Sequence, residues 1–501
     1  MVASEGLSSS LEGASSSSTS TSSSSGAAIA AAASIHSTNT NRVSTETSAT
    51  AATNSSQSKM SSRTKVNEFN DGRVTPSYSW KESWNDWFKH SFSSNYTDAK
   101  VESRLLNQIK FKENVVTSII DTDIGNGNYI HEFYIENKSK DTNAKSAASS
   151  SPCKEIVLIH GYAASLGLFI DNFELLSRVP GVKIHAIDML GFGLSSRPKF
   201  PLFPSDTKED IYKVEDWFID SIESWRKKRG IDKFVLVGHS FGGYLSCAYA
   251  MKYNNHKDQQ QNVLDKLVLV SPVGVERSKF SLLDDRTTVP QISIEEELDA
   301  NQEDIVHGLK KESSSSNSSP RHNVEETDSQ VPVPSRRRKL FNYMWQHNYS
   351  PFSIVRNAGP VKSKMISRWT THRFAHTYFQ NKENFQNMHD YIYRVFNGAG
   401  SGEYAITRVL AVGALAKLPL IDRVPQRFVE MKLPTLWMYG DKDWMNEVAG
   451  EETVKEINEL SVKHGGGKLA QFDIIKNAGH HLYLDNPPDF TKTLYKFLGY
   501  T

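Results

Sequence analysis

Six short apolar runs, each bounded by glycine, proline or polar residues, constrain the fold of this chain most. The runs are EIVLI, VKIHAI, KFVLV, KLVLV, PTLWM and FDII, and they begin at residues 155, 182, 233, 266, 434 and 472. Continuous runs of this kind, separated by stretches long enough for helices, are typical of buried strands in a parallel sheet. Two earlier runs, VVTSII and YIHEFYIE, predict an antiparallel leading pair. We therefore predict an α/β fold with a mostly parallel eight-stranded sheet.

The strand pattern stops between residues 276 and 424, where aromatic and charged residues dominate. This segment is predicted to be a helical cap, inserted after the sixth strand, between a first core part at 76–275 and a second core part at 425–501. Residues 1–75 consist mainly of serine, threonine and alanine, which bury too little apolar surface to offset chain entropy. We expect them to be disordered, and we expect the same of a serine-rich loop at about 310–335 in the cap.

Charge and cysteine content exclude several classes of function. The 58 basic and 57 acidic residues leave a net charge of +1, which gives no overall field for nucleic acid. The two cysteines, Cys153 and Cys247, form no CxxC pair, so neither a disulfide framework nor a structural zinc site is indicated. No apolar run reaches the roughly 18 residues of a transmembrane helix. We therefore expect no metal, no cofactor and no nucleic-acid partner.

The segment VGHSFGG at residues 237–243 contains the pattern G-x-S-x-G at Gly238, Ser240 and Gly242. A serine on a sharp turn from strand to helix has a strained backbone, and side chains two residues away on either side would collide with the neighbouring strand and helix. The apolar run FVLV precedes the pattern, and YLSCAYAMKY follows it with apolar residues at helical spacing. This order of strand, turn and helix predicts Ser240 as a nucleophile.

A serine hydroxyl needs a base to accept its proton and an acid to orient that base. In folds with this pattern, the order along the chain is serine, acid, histidine. Asp441 and Asp443 both follow the run PTLWM, and His480 follows the last run after one more predicted helix and strand. We predict His480 as the base and one of the two aspartates as the acid, with the other serving as a turn residue.

Backbone N–H groups must also stabilise the charge that develops on a substrate carbonyl oxygen. One such group is predicted at Phe241, directly after the candidate nucleophile. The other is predicted at Tyr162 in the loop HGYAAS, which follows the run EIVLI. His160 in the same loop is predicted to brace it rather than to act as a second base.

Seven motifs of the chain together resemble one branch of the α/β-hydrolases: HGYAASLGLF, DMLGFGLSSRP, GHSFGGYLS, NYSPFSIVRNAGP, SGEYAI, YGDKDWM and AGHHLYLD. That branch contains a yeast mitochondrial cardiolipin-specific deacylase, paralogues described as lysophosphatidic acid acyltransferases, and the animal N-acyl phospholipid hydrolase and adipose lipase co-activator. The resemblance implies an α/β-hydrolase fold, a phospholipid substrate and peripheral membrane association. It also implies a mitochondrial location, with the cytoplasm or a lipid droplet as the alternative. The family's G-x-x-D loop, which starts here at Gly440, makes Asp443 the preferred acid.

His480 and Asp485 fit two chemistries. They match the His-x4-Asp pattern of glycerolipid acyltransferases, in which the histidine would deprotonate an acceptor hydroxyl and acyl-CoA would donate the acyl group. In the hydrolase interpretation, Ser240 attacks a phospholipid ester and Asp485 starts the last helix as its N-cap.

The hydrolase interpretation explains more residues, because it also gives Ser240 a role. We therefore predict a serine-dependent phospholipid deacylase, a carboxylic ester hydrolase that acts in phospholipid or cardiolipin remodelling. Two alternatives stay open: a lysophosphatidic acid acyltransferase with acyl-CoA as co-substrate, and a non-catalytic lipase co-activator.

Two groups of aromatic residues leave further alternatives open. Trp80, Trp84 and Trp87 share one face of a predicted helix, and this face either packs on the domain or anchors at a membrane surface. Aromatic residues of the cap either form its core or line an acyl-chain channel: Trp345, Phe352, Trp369 and Phe374.

Overall fold

The ordered chain begins earlier than the sequence predicts. The computed structural model describes residues 66–68, 74–139, 153–254, 262–283, 343, 345, 347–411 and 413–500, so residues 1–65 and the loop at about 310–335 lie outside the described residues. Within the region of predicted disorder, β1 (Val66–Glu68) and β2 (Val74–Pro76) pair in an antiparallel manner. The prediction of disorder over all of 1–75 is therefore wrong at its C-terminal end, where valines that favour extended backbone find a pairing partner.

The remaining described strands lie in the core and the cap. They are β3 (Val115–Gly125), β4 (Asn128–Asn137), β5 (Glu155–Ile159), β6 (Lys183–Ile187), β7 (Phe234–His239), β8 (Leu264–Val270), β9 (Leu410–Ala411), β10 (Leu415–Ala416), β11 (Thr435–Gly440) and β12 (Ala470–Ile475). Eight of these described strands form one sheet in the order β12-β11-β8-β7-β5-β6-β4-β3, while β9 and β10 pair separately. β4 pairs antiparallel with β3 and β6, and the other neighbours in the sheet are parallel. The predicted eight-stranded, mostly parallel sheet is confirmed.

The central strands are apolar throughout because both faces of the sheet are covered. In β5, Ile156 and Leu158 belong to the hydrophobic cluster on one face, and Val157 and Ile159 belong to the cluster on the other. All four side chains are inaccessible to solvent. Burial of each contributes about 1.5–3 kcal/mol relative to exposure. The same two-sided burial explains why the sequence shows continuous apolar runs instead of alternation.

Helices cover both faces of the sheet and form the cap. They are α1 (Trp80–Phe92), α2 (Asp98–Leu106), α3 (Ile170–Leu176), α4 (Lys208–Arg229), α5 (Phe241–Tyr253), α6 (Pro351–Asn357), α7 (Val361–Gln380), α8 (Lys382–Asn397), α9 (Ile406–Val409), α10 (Leu420–Met431), α11 (Glu447–Lys463), α12 (Leu482–Asp485) and α13 (Pro487–Leu498). Local signals fix their ends. The Thr207 side chain accepts a hydrogen bond from the Asp210 N–H at the start of α4, and Gly230 ends this helix at a φ of 65°.

The described part of the cap consists mainly of α6, α7 and α8, which follow the sixth strand of the sheet, as predicted from the change in composition. The Asn381 side chain starts α8 by accepting hydrogen bonds from the Glu383 and Asn384 N–H groups. The expected boundary between residues 424 and 425 falls inside α10. Because α10 packs against α5 and α11, it belongs to the core, and the cap ends before Leu420.

Candidate active site

Ser240, Asp443 and His480 meet at one edge of the sheet. Ser240 follows β7, Asp443 lies in the turn after β11, and His480 lies in the loop after β12. These strands run parallel through β8, so the loops at their carboxyl ends share one edge. Residues that are far apart in the sequence are thereby brought into contact.

The imidazole of His480 lies between the other two side chains. Its Nε2 is 3.0 Å from Ser240 Oγ, and its Nδ1 is 3.2 Å from Asp443 Oδ1. The Asp443 side chain is inaccessible to solvent, whereas the His480 side chain is 11% exposed. If Nδ1–H donates to the carboxylate, Nε2 is left to accept the proton of the serine hydroxyl. The arrangement is therefore capable of nucleophilic chemistry at Ser240.

The backbone at Ser240 is strained, and the two neighbouring glycines make that conformation possible. Ser240 has a φ of 53° and a ψ of −117°, and its N–H donates to Val270 O at 2.9 Å. A Cβ on Gly238 would lie 2.3 Å from Ser246 Oγ, and one on Gly242 would lie 2.3 Å from His160 O. Both distances are too short for a side chain, so the close approach of strand, helix and loop requires glycine at both positions.

Ser271 is a site residue that the sequence analysis missed. Its hydroxyl donates to Asp443 Oδ2 and lies 3.2 Å from His480 Nδ1. Ser271 follows β8 directly and has a φ of 50°. The sequence did contain a signal, which was the position of Ser271 directly after the apolar run KLVLV. Because β8 lies between β7 and β11, this position is at the same edge of the sheet as Ser240.

Asp441, the other candidate acid, is engaged elsewhere. Its Oδ1 accepts a hydrogen bond from the Ala478 N–H at 3.0 Å. Backbone hydrogen bonds from Asn477 and Ala478 lower the pKa of this carboxyl. Asp441 thus joins the turn after β11 to the loop that carries His480, which is a structural contact of the kind expected for the aspartate that is not the acid.

Asp485 neither caps the last helix nor bonds to the imidazole of His480. Its Oδ2 accepts a hydrogen bond from the Gly479 N–H at 2.9 Å. The N-cap of α13 is Asn486, whose side chain accepts from the Asp489 N–H. The prediction of Asp485 as N-cap is therefore wrong by one residue, because Asp485 is still the last residue of α12 and its carboxylate faces the preceding loop.

A second histidine braces the loop of His480. His239 Nε2 donates to His480 O at 3.0 Å, and Tyr483 Oη donates to His239 Nδ1 at 3.4 Å. Burial, followed by the neighbouring His480, holds the pKa of His239 well below its ordinary value, so the ring is neutral. Nothing in the sequence predicts this role for His239, although its place inside the G-x-S-x-G pattern puts it beside Ser240.

The loop with Tyr162 passes directly against the nucleophile. A Cβ on Gly161 would lie 2.9 Å from Ser240 Cβ. His160 braces this loop: its Nδ1 donates to Gly161 O at 2.7 Å, its Nε2 accepts from the Met189 N–H at 3.1 Å, and burial lowers its pKa. Phe241 is the first residue of α5, and the first N–H groups of a helix have no intrahelical acceptor. Both candidate oxyanion donors therefore flank Ser240.

The aromatic residues of the cap form a packed layer that reaches this loop. Phe352 and Phe374 are buried, and Trp345 and Trp369 are partly buried against the hydrophobic clusters. The ring of Phe352 lies 6.0 Å from the ring of Tyr162 and 5.1 Å from that of Phe396. The cap core thus covers the side of the site on which Tyr162 lies.

An exposed aromatic stripe runs along α1. Trp80, Trp84, Phe88 and Phe92 repeat every four residues and are 55%, 57%, 56% and 67% exposed. The expectation that the tryptophan face packs on the domain is wrong for Trp80 and Trp84. The opposite face of the helix, which is polar, makes the contacts with the cap instead. None of the helices among the described residues is long and apolar enough to span a membrane.

A buried histidine–aspartate cluster holds α1 on α8. Asp86, His389 and Asp390 place potential ligand atoms within 4.8 Å of one another, a donor set that could hold a metal ion. His389 Nε2 lies 3.2 Å from Asp86 Oδ2, while Asp390 accepts hydrogen bonds from Gln386 at 2.8 Å and Arg104 at 3.1 Å. The His389–Asp86 contact joins α8 to α1, and the Arg104–Asp390 contact joins α8 to α2.

The fold and the serine site define a class of protein. A family model described as alpha/beta hydrolase fold matches residues 154–487, and the chain belongs to this family. Among its relatives, a 1-acylglycerol-3-phosphate O-acyltransferase of Arabidopsis thaliana is 30% identical over 71% of this chain and 68% of that protein. The acyltransferase ICT1 of Saccharomyces cerevisiae is 27% identical over 69% of this chain and 82% of that protein. A (lyso)-N-acylphosphatidylethanolamine lipase of Homo sapiens is 26% identical, and the match covers 67% of this chain and 76% of the lipase. The predicted branch of the family is confirmed.

Proposed function

We propose that the protein is a serine-dependent phospholipid deacylase, a carboxylic ester hydrolase. The observation that carries this proposal is that both ring nitrogens of His480 are engaged, Nε2 by the Ser240 hydroxyl and Nδ1 by Asp443. Asp485, which an acyltransferase of the His-x4-Asp type would need beside the imidazole, bonds to the Gly479 N–H instead. The names of the lipase relatives support a lipid ester as the substrate.

The reaction would proceed through an acyl-enzyme. Ser240 Oγ attacks the ester carbonyl carbon while His480 Nε2 takes the hydroxyl proton, and the Tyr162 and Phe241 N–H groups stabilise the oxyanion. Collapse of the tetrahedral intermediate breaks the ester C–O bond, and His480 protonates the departing lysophospholipid. Water then attacks the acyl-enzyme carbonyl while His480 accepts its proton. Collapse of this second intermediate breaks the bond to Ser240 Oγ, His480 returns the proton to that oxygen, and the fatty acid is released.

A second candidate reaction is the acylation of lysophosphatidic acid with acyl-CoA. The acyltransferase names of the plant and yeast relatives favour it. In the His-x4-Asp mechanism, the acyl group passes directly from acyl-CoA to the acceptor hydroxyl, so Ser240 is dispensable. The two reactions therefore differ in whether product still forms when the hydroxyl of Ser240 is removed.

The test compares purified wild type with Ser240→Ala. Both are given vesicles of mixed phospholipids that contain cardiolipin, with and without lysophosphatidic acid and acyl-CoA, and the lipids are followed by mass spectrometry. We expect fatty acid and lysolipid from wild type without acyl-CoA, and a decrease of roughly 10³-fold or more in Ser240→Ala. Phosphatidic acid that forms only with acyl-CoA and persists in Ser240→Ala would overturn the proposal. Activation of a separate lipase without any turnover would favour the co-activator alternative.

We also propose that the stripe on α1 anchors the protein peripherally at a membrane. Tryptophan and phenylalanine side chains are favoured at the boundary between headgroups and acyl chains. Replacing Trp84 and Phe88 together by serine is expected to reduce binding to cardiolipin-containing vesicles by roughly tenfold. The matched control replaces Val448 and Val462, which are 57% and 59% exposed on α11, by serine. Unchanged binding of the stripe variant would contradict the proposal.

The location proposed for the protein is mitochondrial, with the cytoplasm or a lipid droplet as the alternative. This proposal is supported by the resemblance to the yeast mitochondrial deacylase. Fluorescent fusions at the C-terminus, expressed from Met1 and separately from Met60, test it by microscopy. Absence of both fusions from mitochondria would overturn it.

A further inference from the structure

Arg373 on the cap helix α7 has buried nitrogens that lack a partner. Its Nε and Nη2 are inaccessible to solvent and make no hydrogen bond within the described part of the chain. The side chain as a whole is 18% exposed. A buried donor left without an acceptor is destabilising, and more so if it is charged. Such a group in a folded protein therefore calls for a partner that the described residues do not supply.

The carboxylate of Asp485 does not satisfy this guanidinium. Asp485 Oδ1 lies 4.0 Å from Arg373 Nη1, which is too far for a hydrogen bond. The partly buried Arg356 differs, because its two Nη atoms donate to Glu403 at 3.1 and 2.6 Å. Arg373 thus keeps donors available, whereas the donors of Arg356 are already paired.

The contact with Asp485 places Arg373 beside the catalytic loop. Asp485 also accepts the N–H of Gly479, the residue before His480. Burial, followed by the positive charge of Arg373, also lowers the pKa of His481, the residue after His480, well below its ordinary value. The charge of Arg373 therefore lies on the cap side of the loop that carries the base.

From this arrangement we propose that Arg373 binds the phosphate of the lipid substrate, with Asp485 tethering it beside His480. A planar guanidinium can donate two parallel hydrogen bonds to phosphate oxygens, so it selects a phosphate ester over a neutral lipid. The inference rests on the proposed deacylase function and names the substrate class of the same site. It also gives the His-x4-Asp spacing a role in substrate binding.

A kinetic comparison separates phosphate binding from a general structural role. Wild type, Arg373→Gln and Arg373→Lys are assayed on phosphatidic acid in mixed micelles and on p-nitrophenyl butyrate, a neutral ester. We expect Arg373→Gln to raise KM for phosphatidic acid by about 10–100-fold, since hydrogen bonds to charged groups contribute about 1.5–3 kcal/mol. Arg373→Lys should be intermediate, because it keeps the charge and loses the paired donors.

The neutral ester and a charge-matched control make the result specific. Both Arg373 variants should hydrolyse p-nitrophenyl butyrate within about twofold of wild type, because this substrate has no phosphate to bind. Arg178→Gln, which removes a 52% exposed arginine on the surface, should leave both reactions unchanged. An equal loss on both substrates, or no change on either, would overturn the inference.

A binding experiment decides the inference even if the enzyme proves not to be a deacylase. The thermal midpoints of wild type and Arg373→Gln are measured with a diether phosphatidic acid, with a diether glycerol, and with inorganic phosphate. We expect the diether phosphatidic acid alone to stabilise wild type and to lose this effect in Arg373→Gln. Stabilisation of wild type by inorganic phosphate to the same extent as by the diether phosphatidic acid would overturn the inference, because the site would then bind the free anion. The absence of any phosphate-dependent stabilisation would overturn it as well.

Discussion

His480 and His185 are both held at each of their two ring nitrogens, yet only His480 contacts a hydroxyl. His185 Nδ1 lies 2.6 Å from Glu132, and its Nε2 lies 2.9 Å from Glu155. His480 instead has one carboxylate, at Nδ1, and the Ser240 hydroxyl at Nε2. A histidine–carboxylate pair is therefore not by itself a catalytic feature, since the partner of the second ring nitrogen decides whether the imidazole can act as a base.

The electrostatics of His185 follow from its two carboxylates. Burial alone would lower the pKa of His185, but the hydrogen bonds to Glu132 and Glu155 outweigh burial and raise it. The pKa of Glu132 is lowered, because its contacts with His185 and Arg229 outweigh its own burial. The raised pKa favours the protonated ring, and the contacts of its two nitrogens join β6 to its neighbours β4 and β5, so His185 has no ring nitrogen left for a substrate.

The largest expected effect is the loss of activity in His480→Gln. Without the base, the serine hydroxyl keeps its proton, and we expect kcat to fall by about 10⁴-fold or more. The thermal midpoint should change little, because His480 lies at the site and not in the core. Steady-state kinetics and thermal denaturation measure the two quantities, and retention of more than a tenth of the activity would contradict the role of the imidazole.

Asp443→Asn should give the next largest loss. An amide can hold His480 in the wrong tautomer and cannot stabilise the imidazolium, so kcat should fall by roughly 10²–10⁴-fold. Asp441→Asn is the matched control, because this aspartate lies in the same turn and bonds only to the loop backbone among the contacts described. A larger loss of kcat in Asp441→Asn than in Asp443→Asn would reverse the assignment of the acid.

His185→Gln should lower the stability of the protein, whereas His480→Gln should lower its kcat. Removing the imidazole leaves two carboxylates facing each other, and the free energy of unfolding should fall by about 3 kcal/mol. The pKa of His185 is raised on folding, so its contribution is fully present below the ordinary histidine pKa and is lost as the pH rises through the raised value. Chemical denaturation should therefore show the gap to wild type narrowing from about pH 6.5 upwards. A constant gap would mean that the imidazole is not held protonated.

The sequence was sufficient for features that depend on local pattern. Six of the eight strands could be predicted because each contains a continuous apolar run, and the sharp turn at Ser240 could be predicted because it needs glycine on both sides. Asp485 and Asn486 show where such reasoning fails: both residue types cap helices well, and only the backbone geometry decides which one does so. Local pattern thus identifies an element better than it fixes the element's ends.

Features that depend on contacts between residues far apart in the sequence could not be predicted from the sequence. The aromatic spacing on α1 is visible in the sequence, but the partner of its polar face, His389, is 303 residues from Asp86. Arg373 and Ser271 likewise acquire their meaning only from Asp485 and Asp443, which follow much later in the chain. Each of these roles depends on a contact between two residues, so neither residue reveals the role from its own position in the sequence.

Ser271→Ala is expected to have the smallest effect on kcat. It tests the surroundings of Nδ1 of His480, which is the ring nitrogen that contacts Asp443. The hydroxyl of Ser271 donates to Asp443 Oδ2 and lies near His480 Nδ1, so its loss should loosen the carboxylate without removing it. We expect kcat to fall by about 5–10-fold with KM unchanged, which corresponds to one hydrogen bond. Ser221→Ala is the control, since this buried hydroxyl bonds to Phe218 O within α4. Because Ser271 acts through Asp443, its substitution should have little further effect in the Asp443→Asn background, and full additivity would contradict that role.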